Sequence, residues 1–153
     1  MPEIGQKAPD FTLPDETGNI VSLSDFDGKN IVLYFYPKDN TPGCTKESIE
    51  FSQLKGKFED MDTIILGASK DSVKMHQNFI KKQNLTVKLL VDEHGTLCED
   101  YGVWVQKKLY GREYMGIERA TFLIGKDGLI KNIWRKVKVD GHVEEVLDAV
   151  KAL

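Results

Sequence analysis

The chain has 153 residues, the size of one domain, and folding at that length withdraws roughly 70% of the unfolded surface from water. A composition of 41% hydrophobic and 29% charged residues with only five prolines excludes a disordered, collagenous or low-complexity chain. Lys plus Arg number 21 against 24 Asp plus Glu, and the resulting charge of −3 supplies no long-range attraction for nucleic acid or an anionic membrane.

In chain order, residues 1–7 show no basic stretch leading into an apolar run, so no secretory signal is read and the expected compartment is the cytoplasm. Phe11-Thr12-Leu13 and Ile20-Val21-Ser22-Leu23, separated by a turn-rich stretch, predict an N-terminal β-hairpin. Residues 31–36 form a continuous apolar and aromatic run, as do 64–68, 89–91 and 121–124, the pattern of strands buried on both faces. The longest of these runs is far short of the ~20 residues that span a bilayer, which excludes a membrane span. Helical patterns cover 44–58, 72–83 and a short stretch near 97–101, followed by a loop over 104–116. Lys126-Asp127-Gly128 turns the strand at 121–124 into 129–134 as a second hairpin, and a terminal helix places Val143, Val146, Leu147, Val150 and Leu153 on one face. No repeat and no linker divides the chain, so residues 1–153 are read as a single domain. The element order predicts an α/β, thioredoxin-like fold: a mixed central sheet with parallel crossovers early and an antiparallel pair late, flanked by helices.

The most informative segment is Tyr36-Pro37-Lys38-Asp39-Asn40-Thr41-Pro42-Gly43-Cys44-Thr45, which leaves a buried strand and enters a helix. Thr41 suits the N-cap, Pro42 the first helical position, and Cys44 the first turn, where unpaired backbone N–H groups and the helix dipole favour thiolate over thiol. Cys44, Phe51 and Phe58 are seven apart with Leu54 between them, so Cys44 faces inward. On residue type and position alone, a small buried hydrophobe is an equal reading of Cys44. A dithiol oxidoreductase would need Cys-x-x-Cys here, and Thr41 stands at the first of those positions. His76, His94 and His142 are scattered, with no metal-ligand spacing inside their own elements, so no metal is expected. His76 shares the apolar face of its helix with Val73, Phe79 and Ile80 and reads as a hydrogen-bonded structural histidine.

Pro37, Thr41 and Cys44 stand in a Pro-x-x-x-Thr-x-x-Cys arrangement that resembles the peroxidatic loop of peroxiredoxins. Thr-Pro-Gly-Cys-Thr followed by Glu47 is similar to the peroxiredoxin Q, or bacterioferritin comigratory protein, group. The likeness continues in Gly-x-x-Ala-Pro-Asp-Phe at 5–11, Val-Leu-Tyr-Phe-Tyr-Pro-Lys-Asp at 32–39, Tyr-Gly-Val-Trp at 101–104 and the stretch around Arg119. This resemblance implies a thiol peroxidase for hydrogen peroxide and organic hydroperoxides, with no metal or organic cofactor. Cys44 would attack the peroxide and become a sulfenic acid. Thr41 would accept from the peroxide and donate to the thiolate, with the amides of Gly43 and Cys44 facing the same oxygens. Arg119 would bring a permanent positive charge to the sulfur, Pro37 would shield the pocket from water, and Glu47 would orient Arg119 through an ion pair.

The chain also departs from that group. Position 49, where many members are expected to carry a resolving cysteine, is Ile49, and residues 80–84, the second family location, hold none. Cys98 is the only intramolecular candidate. A one-cysteine cycle is therefore expected, with thioredoxin, glutaredoxin or glutathione as reductant; a Cys44–Cys98 disulfide is the second reading, and a redox sensor or chaperone on the same fold the third. Either route of regeneration needs the first helical turn to unwind, because Cys44 faces inward. A monomer is expected by analogy with relatives.

Overall fold

A computed structural model of the chain describes residues 2–153. The N-terminal hairpin is β1 (Thr12–Pro14) paired antiparallel with β2 (Ile20–Ser22), and a 3-10 turn (Leu23–Phe26) leads on to β3 (Asn30–Phe35). Two crossovers follow, through α1 (Pro42–Glu59) to β4 (Thr63–Ser69) and through α2 (Val73–Gln83) to β5 (Lys88–Val91), each linking parallel neighbours. A four-residue helix, α3 (Leu97–Asp100), precedes an antiparallel ribbon of β6 (Trp104–Leu109) and β7 (Arg112–Ile117). The chain then returns through β8 (Ala120–Ile124) and β9 (Ile130–Trp134) and ends in α4 (His142–Lys151). The main sheet runs β5-β4-β3-β8-β9, with β8 antiparallel to both of its neighbours, so it is the mixed thioredoxin-like sheet the element order predicts.

Every residue of β3 is buried, because apolar layers cover both faces of the sheet. Strand side chains alternate, and the alternation sorts the core. Ile31, Leu33 and Phe35 enter the layer that holds Phe11, Leu97, Cys98, Tyr101 and Phe122. Val32, Tyr34 and the following Tyr36 enter the other, with Cys44, Phe51 and Phe58 of α1, Phe79 of α2 and the apolar stripe of α4. Cys44 and Cys98 therefore lie on opposite sides of the sheet.

Two expectations are corrected. Residues 104–116 are a β-ribbon rather than a loop: Tyr110 and Gly111 both take positive φ, 52° and 77°, the pair of left-handed residues that a two-residue hairpin turn requires. Leu153 lies beyond the end of α4 and is exposed, so the apolar stripe of that helix stops at Val150. Among the described residues, no helix is long and apolar enough to cross a membrane.

Candidate active site

The buried strand β3 delivers the chain to residues 37–41, and the start of α1 follows at once. Tyr34 fixes the helix on the sheet: its ring stacks on Phe51 at 4.5 Å between centroids and its hydroxyl meets Ser48 Oγ at 2.9 Å. Cys44 is 1% exposed, with Phe51 and Phe58 buried and Leu54 partly buried on the same stripe, as the seven-residue spacing requires.

Arg119 reaches this spot because of strand pairing. β8 is antiparallel to β3 with Ala120 opposite Phe35, so the residue just before β8 falls beside the end of β3 and the start of α1. Its Nη2 donates to Cys44 Sγ at 3.3 Å and its Nη1 to Glu47 Oε1 at 2.8 Å. One planar cation thus spans two acidic groups on α1 that are three residues apart, which is the geometry a guanidinium fork provides and an ammonium does not. Glu47 is fully buried, and its second oxygen, Oε2, has no hydrogen-bond partner. Burial pushes the Glu47 carboxyl up to about 7, against the opposing charge of Arg119. Burial would weaken the charge on Arg119, but Glu47 and Cys44 outweigh it, and the guanidinium stays protonated. A Cβ built on Gly43 would lie 3.2 Å from Arg119 Nη2, so the helix start and the guanidinium pack closely.

Thr41 occupies the N-cap position with extended backbone, φ −88° and ψ 152°, but its hydroxyl caps nothing. It donates instead to the Lys38 carbonyl at 2.8 Å. A hydroxyl has one hydrogen, so Thr41 offers incoming ligand only acceptor lone pairs, which corrects the expected donation to the thiolate. The amides of Gly43 and Cys44 belong to the first turn, where N–H groups lack intrahelical acceptors. Pro37 is exposed, so any shielding it provides acts from the outer side of the loop.

Cys98 sits on α3 in the other layer, with its amide donating to Asp92 Oδ2 at 2.9 Å; burial and the Asp92 charge push its thiol up, away from thiolate. The hairpin-tip Tyr110 is 96% exposed, and Trp104 lies under Lys70 Nζ at 4.9 Å from the ring centroid. His142 meets the Thr121 hydroxyl at 2.8 Å and is held neutral, pushed down to about 4 by burial and the charge of Arg119.

His76 is the hydrogen-bonded structural histidine that the sequence predicts, but its partner Asp39 was not read from the sequence. Asp39 Oδ1 accepts from the Tyr36 hydroxyl at 2.6 Å, Oδ2 lies 2.6 Å from His76 Nδ1, and the Asp39 amide donates to Asp71 Oδ2 at 2.8 Å. Asp39, Asp71 and His76 bring three potential metal-ligand atoms within 4.8 Å of one another, yet protein groups already engage those atoms. The segment that carries Asp39 was conspicuous in the sequence; its links to Asp71 and His76 were not, since 32 and 37 residues separate them from it.

A buried cysteine in the first turn of a helix, with an arginine just ahead of the neighbouring strand of a thioredoxin-like sheet, resembles the site of a peroxiredoxin. The model of the AhpC/TSA family matches residues 4–133, and the chain belongs to that family. Within it, the chain is similar to the group called Bcp or peroxiredoxin Q. It is 54% identical to a putative peroxiredoxin bcp of Coxiella burnetii over 145 residues, 95% of this chain and 96% of the relative. It is 53% identical to peroxiredoxin Bcp of Bacillus subtilis over 149 residues, 97% and 95% of the two chains. Among solved structures, a Cys-to-Ser variant of Xylella fastidiosa PrxQ superimposes with a TM-score of 0.95 at 42% identity, covering 99% of this chain and 97% of that one. The bacterioferritin comigratory protein of Xanthomonas campestris, studied for its alkyl peroxide reduction activity, gives 0.88 at 43%, covering 93% and 90%.

Proposed function

We propose that the chain is a thiol peroxidase in which Cys44 is the peroxidatic residue, acting on hydrogen peroxide and organic hydroperoxides. The observation that carries this reading is Arg119, whose guanidinium lies 3.3 Å from Cys44 Sγ at the start of α1 while Glu47 holds its other arm. A fixed cation and a helix start meet the negative charge that develops on the peroxide oxygens. The Cys44 thiolate attacks one peroxide oxygen. The S–O bond forms as the O–O bond breaks, sulfur supplies the electron pair, and the departing alkoxide or hydroxide takes a proton from solvent to leave as alcohol or water. Thr41 accepts the hydrogen of the incoming peroxide, because its own hydrogen is engaged by Lys38.

Regeneration uses outside thiols of the thioredoxin, glutaredoxin or glutathione class. A first thiol displaces water from the sulfenic acid to form a mixed disulfide; a second attacks that disulfide, releasing the Cys44 thiolate and an external disulfide. The placement of Cys98 supports this one-cysteine cycle. The central sheet stands between the two sulfurs, which would have to approach to ~2 Å to join, and burial holds the Cys98 thiol protonated.

The test is Cys44→Ser, a near-isosteric change at a helix start that accepts serine. The variant keeps the wild-type circular dichroism spectrum and consumes no peroxide. A folded variant that turned over peroxide at the wild-type rate would refute the assignment.

A further inference from the structure

Of residues 37–41, only Asp39 is buried. Its carboxylate faces inward between Tyr36 and His76, and neither Asp39 nor the α2 residue His76 has any side-chain exposure. His76 Nε2 lies 2.8 Å from the Leu90 carbonyl. A carbonyl only accepts, so Nε2 carries a hydrogen, and Nδ1 faces the Asp39 carboxylate with a proton shared between them. The fixed half of this pair is well anchored, because α2 is capped by Ser72 and packed through Phe79. The other half is the loop itself, whose next residue, Asn40, is in the left-handed region at φ 61°.

We propose that the Asp39–His76 pair is a clamp on the peroxidatic loop, a positioning device that never touches the reacting atoms. Closed, it presents Thr41 and the first turn of α1 to the peroxide. Its release sets how readily that turn unwinds to expose oxidised Cys44 to an outside thiol, a role that rests on the thiol-regenerated cycle proposed above. Opening the loop separates a buried, charge-assisted pair, so the closed state is favoured strongly and the open state is rare.

The test uses the full chain with Asp39→Ala and Asp39→Asn. Asparagine keeps the shape: its oxygen accepts from Tyr36 and its amide donates to a neutral His76, whereas alanine removes both links. Three rates are read: reaction of reduced enzyme with hydrogen peroxide, reduction of the oxidised enzyme by glutathione, and exchange of the Thr45 amide, which donates to the Thr41 carbonyl at 2.8 Å and reports the first turn. In Asp39→Ala the peroxide step slows while glutathione reduction and Thr45 exchange quicken, each by roughly tenfold or more. Asp39→Asn brings all three back toward wild type. A general loss of stability would lower the melting temperature without driving the peroxide and thiol steps in opposite directions. A folded Asp39→Ala with wild-type exchange and wild-type reduction overturns the clamp. If Asp39→Ala does not fold, His76→Gln carries the same requirement, since glutamine reaches Asp39 or the Leu90 carbonyl but not both. A wild type that consumed no peroxide would sink the peroxidase reading instead, and Thr45 exchange would still judge the clamp.

Discussion

Arg119 divides one charge between two acids. Nη1 on Glu47 fixes the plane of the guanidinium, and Nη2 is thereby aimed at the sulfur. Removing the group that meets the developing negative charge costs a reaction of this kind roughly a hundredfold or more. Arg119→Ala should therefore lower the second-order rate with hydrogen peroxide by about that factor in stopped-flow measurements, and a rate within twofold of wild type would remove Arg119 from the site. At this scale the family resemblance made the site legible: Cys44, Thr41 and Glu47 stand in one short motif and Arg119 in a separate matching stretch, and the structure brings Cys44, Arg119 and Glu47 into contact. The direction of the Thr41 hydroxyl was not legible, because it depends on the Lys38 carbonyl turning back over the loop. Nor was the burial of Glu47 evident, since a carboxylate one turn into a helix reads as surface until the packing of both neighbouring strands is known.

The start of α1 works as a unit with little spare room. Pro42 needs no hydrogen-bond acceptor, and Gly43 has no side chain to displace the guanidinium beside it. A methyl at position 43 would lie 3.2 Å from Arg119 Nη2, which must then move by a few tenths of an ångström. Gly43→Ala should keep the fold and slow the peroxide step several-fold, on the order of three to ten. An unchanged rate would mean that the guanidinium adjusts without loss. Most elements could be read from the chain because strands buried on both faces leave continuous apolar runs, whatever their pairing. The β6–β7 ribbon could not. Its strands carry Gln106, Lys107, Lys108, Arg112 and Glu113, and its turn is Tyr110-Gly111, without the Asn-Gly or Asp-Gly signature of such turns.

Across the whole molecule, the sheet separates chemistry from its only other cysteine. That separation depends on which layer each helix joins, and chain order alone does not specify it. The fold also sets a pH balance. Glu47 titrates at about 7 in the folded protein against 4.5 when unperturbed, so its contribution to stability is complete below about 4.5 and is lost as the pH rises through about 7. His142 acts oppositely: pushed down to about 4, it is neutral where the unfolded chain is protonated, and its contribution is lost as the pH falls from about 6.5 to about 4. Comparing Glu47→Gln with wild type isolates the first effect. Urea unfolding at about pH 5 and about pH 8 should show the variant gaining on wild type at the higher pH by on the order of 2 kcal/mol. A stability difference independent of pH would show that Glu47 is already ionised at the lower value.

The central claim, a peroxidatic Cys44 that works without an internal partner, is tested most directly by intact-protein mass spectrometry. Wild type and Cys98→Ser are each given one equivalent of hydrogen peroxide with a sulfenic-acid trap present. A trapped sulfenate on Cys44 in both samples is the predicted result. A loss of two hydrogen masses in wild type alone would contradict it and make Cys98 the resolving residue.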